Sequence, residues 1–197
     1  MKLFTISSSL VIILGIAGTN FVAPTVAGQL ANGTVFFEGS PRLLEAYSTI
    51  SDARAWGAKY YFTIELPDNA VEPLQKVVIQ QRGGSELIRF RVERTLAFSG
   101  TPDLKGESFS LEAINITPKK QEIELVFQEP ISPGTTFTVG IIPKKNPRYA
   151  GVYLFGVTAF PRGEKSNPTY LGVGRFHFYR GRGGLYFYRD GGVINLH

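Results

Sequence analysis

From Asn32 onward this chain is built of short runs that alternate apolar with polar residues and close on Gly or Pro, a pattern that leaves little room for anything but β-structure. YYFTIEL (Tyr60–Leu66) sets Tyr60, Phe62, Ile64 and Leu66 on one face and Tyr61, Thr63 and Glu65 on the other. EIELVFQ (122–128) points Ile123, Leu125 and Phe127 one way and Glu122, Glu124 and Gln128 the other, then stops at Pro130. TTFTVGI (Thr135–Ile141) turns Phe137, Val139 and Ile141 inward and stops at Pro143. TVFF leads into Gly39-Ser40-Pro41, QKVVIQQ ends near Gly83-Gly84, and LIRFRVE (87–93) alternates in a looser register. Helical spacing is confined to PRLLEAYSTISDARAWG (41–57) and DNAVEPLQ (68–75). Pro, Gly or Ser interrupts both, so each predicts a turn or two at most.

Fifteen Phe and nine Tyr against one Trp and one Met suit half-buried pleated surfaces. With 43% hydrophobic and 19% charged residues, the chain can bury a core and is not globally disordered. Many short strands with turn-rich joints predict an all-β fold, an antiparallel β-sandwich of immunoglobulin-like type with one or two short helical turns. A membrane barrel needs apolar outward faces strand after strand, whereas the outward positions here hold Glu65, Lys76, Gln80, Glu122 and Glu124.

The first 27 residues read as a cleaved signal peptide. Lys2 precedes an apolar core, LVIILGIAG, and Thr25-Val26-Ala27 offers small residues for cleavage after Ala27. Thr19, Asn20 and Pro24 interrupt the run short of the ~20 residues of a membrane span, and the mature chain contains no other candidate. Loss of Lys2 lowers the formal charge from +5 to +4, an excess that favours anionic partners without demanding one. The absence of Cys excludes disulfides, thiol chemistry and a lipid anchor on cysteine. The expected address is beyond the inner membrane, with periplasm, medium and thylakoid lumen all open. Nucleic acid is then no natural partner, and oligomeric state is open.

The stretch NPRYAGVYLFGVTAFPRG (146–163) reads as a hairpin followed by a core strand. Pro147 suits the second position of a turn and Gly151 a positive φ at its exit. Tyr153, Phe155, Val157 and Ala159 share one face of the strand; Val152, Leu154, Gly156, Thr158 and Phe160 share the other. Apolar character on both faces predicts a central strand covered above and below, with Gly156 admitting a close neighbour or marking a bulge. Lys144, Lys145, Arg148 and Tyr149 are candidates for a projecting basic-aromatic loop that grips an anionic or sugar ligand. The plainer reading is a solvated hairpin, since turns collect such residues without any ligand.

LPDNAVEPLQKVVIQQ, PGTTFTVGIIPKKNPRYAGVYLFGVTAFPRGEK and YLGVGRFHFY together resemble the cyanobacterial family catalogued as domain of unknown function 2808, over residues 35–179. The resemblance implies an exported protein of a photosynthetic bacterium with one domain, no assigned activity and no catalytic residues to carry over.

Reactive constellations are sparse. Only His177 and His197 could join a zinc or copper site, which wants three or four N or S ligands, so no metal or other cofactor is expected. A calcium site of Asp, Glu and carbonyl oxygens stays open, but no EF-hand spacing appears. No G-x-S-x-G elbow, P-loop or dinucleotide fingerprint is present, and His177 in RFHFY sits in a strand pattern with no Ser or Asp to recommend it. Glu122 and Glu124 share a strand face at a spacing a glycosidase pair could use, though an outer strand face is the ordinary place for such residues. The end of the chain, 180–197, interleaves Arg180, Arg182 and Arg189 with glycines and with Tyr186, Phe187 and Tyr188. It suits contact with acidic polymer or strand addition to a partner, and equally a final strand folded back or a frayed end.

The organisation read from sequence is therefore a signal peptide (1–27), a sandwich (28–179) and a Gly/Arg/aromatic tail (180–197). The expected function is non-catalytic binding of a cell-envelope protein or anionic polysaccharide, with Lys144, Lys145, Arg148, Tyr149, Arg180, Arg182 and Arg189 as contacts. The alternatives are a carbohydrate-active enzyme working through two carboxylates and a structural protein without a ligand.

Overall fold

The computed structural model describes residues 28–30, 32–181, 187–189 and 192–194. The expected signal peptide and Arg182 lie outside the described residues. Ten strands build the body: β1 (Arg42–Ser48), β2 (Tyr60–Leu66), β3 (Leu74–Gly83), β4 (Leu96–Gly100), β5 (Lys105–Ser108), β6 (Leu111–Thr117), β7 (Glu122–Ile131), β8 (Thr135–Ile141), β9 (Gly151–Pro161) and β10 (Thr169–Phe178). They form two antiparallel five-stranded sheets, ordered β1-β2-β8-β4-β5 and β10-β9-β3-β7-β6. The second strand pairs with the eighth in one sheet, and the third with the ninth in the other. Each of these pairs is flanked by a sequence neighbour, β1 and β10, which is the Greek-key plan of an immunoglobulin-like sandwich with β4 to β7 inserted in its middle.

The alternation read from sequence becomes the inner faces. Phe62, Ile64 and Leu66 of β2, Phe137, Val139 and Ile141 of β8, and Leu125 and Phe127 of β7 are buried without residue, as are Tyr153 and Val157 of β9. Each such side chain contributes about 1.5–3 kcal/mol by leaving water. Their rings meet edge-on, Phe155 and Phe176 with centroids 5.1 Å apart and Phe127 and Phe137 at 5.8 Å, each pair adding about 0.5–1.5 kcal/mol.

Several local expectations are corrected. The stretch 41–57 holds no helix: its first half is β1, an edge strand on β2, and its second half is a connection that turns at Ala53-Arg54 and bends at Trp56-Gly57. Residues 68–75 do begin with a 3₁₀ turn, Asp68–Ala70, and a second such turn occurs at Val92–Arg94. The loose alternation of 87–93 is not a strand. Phe90 makes one bridge to Pro143 and packs its ring 5.8 Å from Tyr60 and 6.1 Å from Phe155, closing one end of the core. β7 does not stop at Pro130 but reaches Ile131 across a register shift, where a residue without N–H interrupts no regular ladder.

The 146–163 stretch is not a hairpin. β8 and β9 lie in different sheets, so residues 142–150 carry the chain from one sheet across to the other. Gly151 does take a positive φ, 151°. β9 is interior within its sheet, yet among the described residues no third layer covers its outer face. Val152 is exposed there, and long side chains shield the rest, Lys76 Nζ lying 4.2 Å from the Phe160 ring centre. Gly156 admits the close neighbour anticipated for it, since a Cβ would fall 2.5 Å from Arg82 Nε. Among the described residues no helix is long and apolar enough to cross a membrane.

Candidate functional site at the loop end of the sandwich

The connections β1–β2 (49–59), β3–β4 (84–95) and β8–β9 (142–150), together with the exit of β10, gather at one end of the molecule. Asn146 ties them. It is only 2% exposed, and its side chain accepts a hydrogen bond from the Tyr60 hydroxyl (2.9 Å) and donates to the carbonyls of Ile50 (2.8 Å) and Asp52 (2.9 Å). Its backbone N–H donates to Ala55 (2.9 Å), while the N–H of Arg54 donates to Pro147 (2.8 Å). Burial first, and Tyr153 second, push the Tyr60 phenol far above its ordinary range, so it remains a neutral donor.

The next turn is pinned by Glu86, one carboxylate oxygen of which accepts the backbone N–H groups of both Arg148 and Tyr149. The Tyr153 hydroxyl donates to the Tyr149 carbonyl at 3.1 Å. On the other side, the N–H of Tyr179 donates to Ser51 and that of Ala53 to Tyr179, both at 2.8 Å, which sets Arg180 beside the same loop. Lys144 joins the third connection by donating its N–H to Arg89 (2.7 Å).

What this framework presents to solvent is aromatic and cationic. Trp56, Tyr149 and Tyr179 are 61%, 54% and 61% exposed. The Lys145 ammonium lies 4.9 Å from the centre of the Trp56 ring. Arg54, Lys59, Arg89, Lys144, Arg148 and Arg180 are exposed around them, with Asp52, Glu86 and Glu93 as the acids of these loops. The ion pairs among the described residues, Arg42–Glu65 and Lys76–Glu124, lie elsewhere. The opposite end, formed by 67–73 and 162–168 with Glu38 hydrogen-bonded beside them, carries Glu38, Asp68, Glu72 and Glu164 against Arg162 and Lys165. The molecule is therefore polarised in charge along its strands.

The profile of the family described as "Protein of unknown function (DUF2808)" matches residues 34–178, which covers all ten strands of the sandwich and the three connections of its loop end and stops before Tyr179. The chain belongs to this family. No curated protein matches this DUF2808 chain. Among solved structures it is similar to the collagen-binding domain from a Staphylococcus aureus adhesin, at 10% identity and TM-score 0.40 over 73% of this chain and 97% of that one. It is also similar to ACE19, the collagen-binding subdomain of the Enterococcus faecalis surface protein ACE, at 11% identity and TM-score 0.43 over 72% and 96%. A cohesin module from a Clostridium perfringens family 33 glycoside hydrolase matches at 11% identity and TM-score 0.35 over 71% and 99%. At these scores the likeness says nothing of what the DUF2808 chain binds.

Of the residues singled out in sequence, the DUF2808 fold brings Lys144, Lys145, Arg148 and Tyr149 together and adds Arg180 through the Tyr179 bridge. Arg189 lies in β11 (Phe187–Arg189), which pairs with β12 (Gly192–Ile194) in a ladder of their own rather than with either sandwich sheet. Arg54 and Trp56 were missed because they fall in the run read as helix; the one signal was a lone Trp beside Gly57 in a polar stretch.

Glu122 and Glu124 lie on the outer face of β7. Glu124 accepts hydrogen bonds from Lys76 Nζ (2.9 Å) and Asn115 (3.1 Å), and the Lys76 bond holds its carboxyl below the usual range, the reverse of what a general acid requires. His177 is exposed on β10 opposite Val152. A shallow groove between β1 and β10, lined by residues 43–46 and 173–175, holds Glu45 as its one carboxylate.

Proposed function

We propose that this chain is an exported, non-catalytic binding module that attaches to an anionic component of the cell envelope through the loop end of its sandwich. One observation carries the reading: three exposed aromatic rings and a cluster of cations that make no ion pair among the described residues converge on one end, while acids collect at the other. A surface of one sign draws polyanions in and orients the molecule towards them, with a strength that falls as salt rises. In this reading the leader is cleaved after Ala27, the sandwich of 28–179 is the functional unit of a cyanobacterial envelope protein, and Arg180, Arg182 and Arg189 of the tail contribute further contacts to the ligand.

The test is co-sedimentation of the exported form with its own envelope fractions across a salt series. Binding should be strong at low salt and fade as salt rises. Lys145→Glu with Arg148→Glu should abolish it, and Asp68→Lys with Glu72→Lys at the far end should leave it intact or stronger. Binding that ignores salt and survives the loop-end reversal would refute the proposal.

A further inference from the structure

We infer that the ligand taken at this end is an acidic polysaccharide, one sugar ring of which stacks on the face of Trp56 not covered by Lys145 while carboxylates or sulfates along the polymer are held by Lys145 and the neighbouring arginines. The inference rests on the binding reading above and names its ligand class. A surface evolved for charge alone has no use for a large exposed apolar ring, and Trp56 is held out in water by the backbone around it. Arg54 and Gly57 both take left-handed φ values, 63° and 79°, on either side of it, and the bond from Asn146 N–H to Ala55 locks the loop beneath it. L-residues such as Arg54 adopt that conformation rarely and mostly where the surroundings impose it.

A pyranose presents a flat C–H face that packs on an indole; the Lys145 ammonium lies over one face of Trp56, 4.9 Å from its centre, which leaves the other face for a sugar and sets a cation next to it. Arg148 and Arg54 offer planar guanidiniums that take carboxylate or sulfate through two parallel hydrogen bonds; they are joined through Arg54 Nε donating to the Arg148 carbonyl at 3.4 Å. Tyr149 and Tyr179 supply further exposed rings at the same end. A lipid surface would favour a contiguous apolar area, whereas the exposed residues of this end include Arg54, Arg148 and Arg180.

Trp56 is the one tryptophan in the 197 residues, so its emission reports this site alone. The full exported chain is titrated at low salt with polygalacturonate, dextran sulfate, polyglutamate, uncharged dextran and anionic vesicles. At least one of the two acidic polysaccharides should bind and change Trp56 emission, polyglutamate should bind more weakly without that change, and dextran should not bind. Trp56→Ala should weaken polysaccharide binding by about tenfold or more and Trp56→Tyr should restore most of it; the exposed position spares the fold, which a far-ultraviolet melt confirms. Equal binding of polyglutamate with no loss in Trp56→Ala overturns the inference and leaves the charge-based reading standing. A response to vesicles without one to polysaccharide overturns it in favour of lipid. Failure of every polyanion to bind overturns the reading beneath it as well.

Discussion

Asn146 uses both side-chain N–H groups and its carbonyl oxygen on three partners from two other segments, which makes it the pin of the loop end. Asn146→Ala would leave the buried Tyr60 hydroxyl without a partner and take one donor from each of the Ile50 and Asp52 carbonyls, and should cost about 1–3 kcal/mol in a urea unfolding titration. Arg54 makes the opposite case. Its φ of 63° is unfavourable for a side chain, so Arg54→Gly should raise stability by up to about 1 kcal/mol while weakening the binding of anionic polymer. A variant that loses stability yet binds as before would show that Arg54 is there for packing. At this scale the sequence was only half legible. Asn-Pro announced a turn, and the basic-aromatic character of Lys144 to Tyr149 was plain in the residues themselves. The burial of Asn146, and the meeting of Lys145 with Trp56, depend on contacts between segments far apart in the chain.

Strands could be read where one face is wholly buried and the other is not, because only then does composition alternate with the pleat. β7 meets that condition and was legible; β8 was legible although its second face is also buried at Thr138 and Gly140, because those residues are polar or lack a side chain and so keep the alternation. β1 was not, since a register shift between Leu43 and Glu45 breaks its period and leaves a pattern that passes for helix. β5 is exposed along its whole length and carries no pattern at all. The Lys76–Glu124–Asn115 ladder across β3, β7 and β6 yields a prediction of its own. Glu124 has its carboxyl depressed in the folded state, first by Lys76, so the stabilisation it supplies is present above the unfolded carboxylate range and disappears as pH falls through the folded value. Lys76→Met should flatten that acid-side loss in pH-dependent urea titrations. The change should be below about 1 kcal/mol because both partners, at 27% and 33% side-chain exposure, are partly screened by water. An unchanged acid slope in the variant would rule the pair out as its source.

As a whole molecule, the protein is a rigid aromatic-cored sandwich with a basic, ring-studded end and an acidic far end. That polarity is invisible in a net charge of +5, because both signs are scattered along the sequence and only the folding of alternate connections to opposite ends sorts them. Charge arranged this way does more for a binding module than net charge, since the acidic pole turns away from a polyanion as the basic pole approaches. The measurement that tests this most directly is a chemical-shift titration of the isotope-labelled exported chain with polygalacturonate. The perturbed amides should cluster in 51–58, 144–149 and 179–181, and the cluster should vanish at high salt. Perturbations centred on the acidic connections, 67–73 and 162–168, or on the outer face of β9 and β10, would contradict the account.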